Sequence, residues 1–376
     1  MKKSIIISLA LILAVLSSCG DKKKSEEGPK KPVIIAYVVG FRGTVDADKI
    51  AASKITHINY AFVDVQNGKA FLANEVTDVE NFKKLNALKE QNPDLKILIS
   101  IGGWAWSKNF SDAVLTAEGQ KTFAKSAVEI IKKYDLDGVD IDWEYPAIEG
   151  AEGNIFRPED KQNYTLMFAA IRAELDALEK ETEKKYLLTT AVGGSQEFID
   201  NTEMAKAQEY LDYVNVMTYD YLSKEIAINH TNLEPSDKYE NSGSASKSIQ
   251  AYIAAGVPAD KLVMGIAFYS RVYELKKGWK NGIGEPIVKQ TEGKGYTAIK
   301  DSLVNQNEYF RYWDDAAKAP YLFNFYKGIF ISYDDEESVK AKCQYVMENG
   351  MAGVMFWEYS SDPKGFLLNT INQNLK

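Results

Sequence analysis

Asp137-Gly138-Val139-Asp140-Ile141-Asp142-Trp143-Glu144-Tyr145-Pro146 decides how this chain is read. Four acids fall within eight residues, and three of them alternate with apolar residues. Val139, Ile141 and Trp143 form one face of a strand; Asp140, Asp142 and Glu144 form the other. Side chains at i, i+2 and i+4 of a strand point the same way, about 7 Å apart per step. Three carboxylates on one inner face are costly unless they share protons or do chemistry. A solvent-facing row is the alternative. The apolar segments on both sides argue against it.

Working outward, short apolar runs alternate with helical patterns from Pro32 onward. Strands are expected at 33–39, 56–65, 95–101, 138–144, 186–192, 213–219, 262–268 and 353–357. Helices are expected at 79–90, 118–134, 158–183, 244–255, 335–349 and 363–373. Eight strands with helical crossovers predict an α/β fold, a (β/α)8 TIM barrel spanning residues 32–376. A doubly wound open sheet is the competitor. Residues 272–330 break the rhythm. They are rich in Gly, Tyr, Trp and Lys and lack a helical period. Their aromatic content is too high for a disordered segment, so they read as a small α+β insertion between strands seven and eight.

The first 31 residues stand apart from the core. Lys2-Lys3 precedes an apolar run, Ile5 to Leu16, too short for an ordinary membrane-spanning helix. Leu16-Ser17-Ser18-Cys19 resembles a bacterial lipoprotein box. It implies a signal peptide over 1–18, cleavage before Cys19, lipidation of its thiol, and a charged tether to residue 31. The expected location is the bacterial cell envelope, periplasmic or outer surface, with the membrane met only through the lipid anchor.

Composition narrows the partners. The chain of 376 residues carries a formal charge of −8, and loss of Lys2 and Lys3 with the signal peptide makes it −10. An acidic protein is a poor nucleic-acid binder and is compatible with a neutral polymer. Cys343 is the only cysteine besides Cys19, so no intramolecular disulfide is expected after lipidation. His57 and His230 are the only histidines. Without a Cys/His cluster, no metal and no cofactor are expected. His57 reads as structural. Nothing in the sequence calls for an oligomer, so a monomer is expected.

Four motifs in order bring a resemblance. Asp137-x-x-Asp140-x-Asp142-x-Glu144, with Tyr145-Pro146, resembles the catalytic signature of the family 18 glycoside hydrolases, the chitinase family. Ser100-Ile101-Gly102-Gly103-Trp104 is similar to the family's Ser-x-Gly-Gly strand. Met217-Thr218-Tyr219-Asp220 is similar to its Met-x-Tyr-Asp strand, and Trp357 sits where the family has its last-strand tryptophan. The resemblance runs from about residue 33 to the C-terminus. It implies that 272–330 builds one wall of the substrate cleft.

The resemblance also implies roles. Glu144, at the C-terminal end of the acid row, is expected to be general acid and then base. The substrate's own N-acetyl oxygen attacks the anomeric carbon, with retention. Asp142 then stabilises the acetamido N–H, and Asp140 shares a proton with Asp142. Tyr37 and Ser100 hydrogen-bond Asp140, and Tyr219 orients the acetamido carbonyl. Asp220 contacts substrate, Met217 packs beneath the sugar, and Arg271 lies at the rim. Trp357 floors the subsite where the sugar distorts, because aromatic faces bind pyranose C–H faces. Trp104 and Tyr145 line neighbouring subsites, and Gly102 and Gly103 allow close backbone approach. Asp137 and Trp143 are expected to be structural.

The expected activity is hydrolysis of β-1,4 bonds in chitin or chitooligosaccharides. An endo-β-N-acetylglucosaminidase acting on glycoprotein N-glycans would use the same acids. A non-catalytic chitin-binding lectin is the other class; such proteins commonly lose the proton donor, and Glu144 is present.

Overall fold

The computed structural model describes residues 31–240 and 243–375. The expected signal peptide, Cys19 and nearly all of the tether lie outside them. The strands in chain order are β1 (Val33–Val39), β2 (His57–Gln66), β3 (Lys69–Phe71), β4 (Lys96–Gly102), β5 (Gly138–Asp142), β6 (Leu187–Gly193) and β7 (Tyr213–Met217). They continue as β8 (Leu262–Ala267), β9 (Tyr269–Leu275), β10 (Ile287–Gly295), β11 (Phe310–Asp314), β12 (Ala319–Asn324), β13 (Ile329–Ser332) and β14 (Gly353–Trp357).

Eight of these run parallel in the order β1-β14-β8-β7-β6-β5-β4-β2, and β1 pairs with β2 to close the barrel. Both faces of each strand are covered, so the strands are apolar almost throughout. Outward residues such as Val139, Ile141 and Trp143 pack under the helices. Trp143 stacks on Phe110 with ring centroids 5.1 Å apart. A separate inner cluster of Ile35, Tyr37, Ala61, Val263 and Met355 fills the barrel axis.

Crossover helices occupy Glu75–Ala87, Ala117–Lys133, Asp160–Thr182, Ala245–Ala254 and Glu336–Glu348. Their starts follow local chemistry. Thr116 caps Ala117–Lys133 by accepting from Gly119 N, and Asp335 with Ser338 forms a capping box on Glu336–Glu348. The first helix starts four residues earlier than its apolar period suggests. Asp78 and Asn81 occupy its buried side, where they bond Tyr60 Oη at 2.6 and 2.9 Å.

Between β8 and β14 lies a five-stranded antiparallel sheet, β10-β9-β13-β12-β11, with one helix at Tyr296–Ser302. Its strands run from Tyr269 to Ser332, slightly wider than 272–330. It has its own core, built on Tyr273, Tyr321, Phe323 and Phe330. One face of β9 carries Tyr269, Arg271 and Tyr273 in alternation, which brings Arg271 to the mouth of the barrel.

Candidate active site

The acid row rises along the barrel axis. Asp140 and Asp142 are the inward residues of β5, in register with Ser100 and Gly102 of β4. Asp140 is fully buried and accepts four hydrogen bonds. Its Oδ2 receives Tyr37 Oη at 3.0 Å and Ser100 Oγ at 2.7 Å. Its Oδ1 receives Thr189 Oγ1 at 2.6 Å and Asn215 Nδ2 at 3.2 Å. Burial raises its pKa despite these donors.

Asp142 is treated differently. It is buried, and its Oδ1 has no hydrogen-bond partner. Burial, then the charges of Glu144 and Asp140, hold its carboxyl well above the ordinary range. Both neighbouring buried carboxyls are thus raised, because the second charge is costly beside the first. Asp140 spends both oxygens on four neutral donors.

Strand β5 ends at Asp142, two residues before the expected end, so Glu144 stands just beyond the sheet. Its backbone N–H donates to Ser107 Oγ at 2.8 Å, and its carbonyl accepts from Asn154 Nδ2 at 2.9 Å. The Glu144–Tyr145 peptide is cis, as are Ala61–Phe62 and Trp357–Glu358. Burial lifts the Glu144 carboxyl to about 7; the Tyr145 hydroxyl opposes this and the charge of Asp220 adds to it. A carboxyl that keeps its proton to neutral pH can serve as an acid there.

Tyr219 and Asp220 follow the end of β7. Burial and the surrounding carboxylates keep the Tyr219 phenol protonated. Among the described residues its hydroxyl has one hydrogen-bond contact, Met355 Sδ at 3.8 Å, which leaves a donor free for a better acceptor. Asp220 accepts Arg271 through both oxygens, at 2.7 and 2.6 Å. Burial would raise its pKa, but His230 and Arg271 beside it outweigh that and hold it well below the usual range. Met217 is partly buried beneath these groups.

Aromatic rings border the acids. Trp357, at the end of β14, stacks on Phe62 at 5.4 Å and tilts against Tyr37 at 5.8 Å. Trp104 is 55% exposed and meets Tyr145 edge-on at 6.4 Å. The two glycines serve packing rather than open space. A Cβ on Gly102 would lie 2.2 Å from the Asp142 carbonyl oxygen, and one on Gly103 would lie 2.5 Å from the Phe62 ring. The close backbone approach expected at these positions is thus to the protein itself. Asp137 lies lower, with ion pairs to Lys89 at 2.7 Å and Lys184 at 3.1 Å, and holds Ile97 N at 2.9 Å. His57 is buried, edge-on to Tyr213. Burial lowers its pKa to about 4, so it is neutral. Among the described residues no His, Cys, Asp and Glu cluster could hold a metal.

Sequence reasoning overlooked Thr189 and Asn215, the donors to Asp140 Oδ1, and His230, beside Asp220. Strand alternation could have found the first two. Asn215 precedes Met217 on the same side of β7, and Thr189 is in register with Asp140. His230 is loop-borne and left no periodic signal.

Residues 33–362 match the family described as glycosyl hydrolases family 18. Chitinase A1 of Niallia circulans is 36% identical over 98% of this chain and 62% of its own length. This chain thus spans less than two thirds of that relative. Chitinase 1 of Aphanocladium album is 31% identical, over 97% of this chain and 90% of the relative. A family 18 N-acetylglucosaminidase from Paenibacillus barengoltzii superposes with a TM-score of 0.84 at 38% identity, covering 91% of this chain and 99% of that one. Chitinase ChiA74 from Bacillus thuringiensis gives 0.85 at 34%, covering 92% and 70%. With its closed barrel and its row of acids ending at the strand mouth, this chain belongs to glycosyl hydrolase family 18 and is a glycoside hydrolase.

Proposed function

We propose that this protein is a chitinase that cleaves β-1,4 bonds between N-acetylglucosamine units with retention, using the substrate's acetamido group as nucleophile. The observation that carries the reading is the division of labour along the acid row. Glu144 keeps a proton to about pH 7 at the barrel mouth, where it can protonate the leaving oxygen. Asp142 has a partnerless buried oxygen, available to the acetamido N–H. Asp140 is committed to four donors, so it supports Asp142 and is not free to attack carbon. Tyr219 offers its phenol to the acetamido carbonyl, which orients the internal nucleophile. Trp357 lies next to Tyr37 and supplies an aromatic floor. Glu144 then takes a proton from water as the oxazolinium-type intermediate opens.

The names of the relatives support chitin as polymer, and they include an N-acetylglucosaminidase. Rates on chitooligosaccharide beside a high-mannose glycoprotein test the choice. Faster cleavage of the glycoprotein core would overturn the chitin assignment and favour the endo-β-N-acetylglucosaminidase. Chitin binding without turnover would favour a lectin. The lipoprotein-like box at Cys19 supports an enzyme tethered to the envelope. Metabolic labelling with a radioactive fatty acid tests that, and an unlabelled mature protein would refute it.

A further inference from the structure

Asp220 follows β7 with a φ of 57°, in the left-handed region that Asp enters more readily than most residues. Its side chain meets two neighbours. Arg271 takes both oxygens. The second neighbour is His230, whose Nδ1 lies 3.4 Å from Asp220 Oδ1.

His230 is fully buried, and neither ring nitrogen has a well-aligned hydrogen-bond partner. A buried polar ring left in that state is costly and calls for a reason. Its backbone, in contrast, is firmly held. His230 N donates to Ser332 Oγ at 2.8 Å, and its carbonyl accepts from Tyr221 N at 3.1 Å. Next to it, Thr231 Oγ1 donates to Asp334 Oδ2 at 2.7 Å. The buried Lys342 joins Thr231 at 2.7 Å and Asp334 at 2.6 Å. Asn229 Nδ2 donates to Asp314 Oδ2 at 3.2 Å. A buried polar segment, 229–232, thus presents one imidazole to one carboxylate.

We propose that His230 is a positioning residue for Asp220: its Nδ1–H closes onto Oδ1 as substrate seats, and with Arg271 it fixes the carboxylate beside Glu144 and Tyr219. Catalytic hydrogen bonds often tighten as the substrate complex forms. Burial keeps the imidazole neutral, against the pull of Asp220, so it donates without adding charge. The groups facing the pair are Tyr219, Glu144 and Tyr145 from the cleft, Tyr269, Arg271 and Tyr273 from β9, and Asp334 behind His230. This rests on the chitinase reading only for its assay substrate.

The test compares His230→Ala, His230→Asn and His230→Gln, each also in an Asp220→Asn background, on chitopentaose across pH. Asn places an amide near the Nδ1 position and Gln near the Nε2 position. Expected for Ala is a kcat about tenfold lower with KM changed less than about threefold. Carboxyl NMR should show Asp220 ionising at a higher pH in Ala than in wild type, because it loses a donor to its charged form. Asn restores both effects and Gln does not. In the Asp220→Asn background, Ala has no further effect on kcat. Equal Asn and Gln variants, an unmoved Asp220 titration, or an undiminished Ala effect in that background would each overturn the proposal. Should Ala fail to fold, the Asn and Gln comparison decides. Should wild type not cleave chitopentaose, the chitinase reading fails, and carboxyl NMR titration of Asp220 in wild type and the two amides decides this one.

Discussion

Glu144→Gln should stabilise the protein, and only at high pH. The unfolded chain releases this proton near 4.5, and the folded chain near 7. Below pH 4.5 both states hold the proton, and the folded state loses nothing. As pH rises through 7 the folded state must ionise a buried carboxyl, and that part of the stability disappears. A separation of about 2.5 units at about 1.36 kcal/mol each gives roughly 3.4 kcal/mol. The side chain is partly open to the cleft, so screening reduces this to about 2–3 kcal/mol. Unfolding entropy for a domain of roughly 340 residues is about 0.7 kcal/mol/K, so the expected gain is about 3–4 °C in Tm. The assay is calorimetry of wild type and Glu144→Gln at pH 4 and pH 8.5. The Tm difference should be near zero at pH 4 and about 3–4 °C in favour of Gln at pH 8.5. Equal differences at both pH values would show that Glu144 titrates normally, and the general-acid role would lose its physical basis. The same proton should appear in kinetics as a loss of kcat as pH rises through about 7.

Other perturbations probe the supports. Asp140→Ala strands four buried donors; at about 1–3 kcal/mol for each unmet group before relaxation, urea unfolding should show a loss of at least about 3 kcal/mol. A loss under about 1 kcal/mol would contradict the donor network. Asp334→Ala leaves Lys342 buried and unpaired and should cost about 3–5 kcal/mol, most of it recovered in Asp334→Ala with Lys342→Met. A double variant no better than the single would place the cost elsewhere. Tyr219→Phe should lower kcat about 10²–10³-fold with little change in KM. An effect confined to KM would make Tyr219 a binding residue only.

The barrel was legible because its strands are buried on both faces and cannot hide their apolar runs. The bounds of β1 and β14 fall where the sequence placed them. The first helix was harder, since Asp78 and Asn81 replace apolar residues on its buried side. In the insertion, β10 is an exposed edge strand with Lys289, Gln290, Thr291 and Glu292 in succession. It carries no alternation for a reader to find. The acid row could be read because a strand's period is two. Glu144 was assigned to that strand, although the chain leaves the sheet before it and Ser107 fixes it instead. The Asp220 and His230 pairing was not legible. Nine loop residues separate them, and only the fold of 229–232 onto Ser332 and Asp334 brings them together.

The central claim is that Glu144 supplies the proton for a retaining cleavage. The most direct test is hydrolysis of chitopentaose by the chain from residue 20 onward, wild type beside Glu144→Gln, with product anomers followed by NMR. The account predicts β-anomers first from wild type and a loss of several orders of magnitude in the variant. Initial α-anomers, or near wild-type turnover by folded Glu144→Gln, would contradict it.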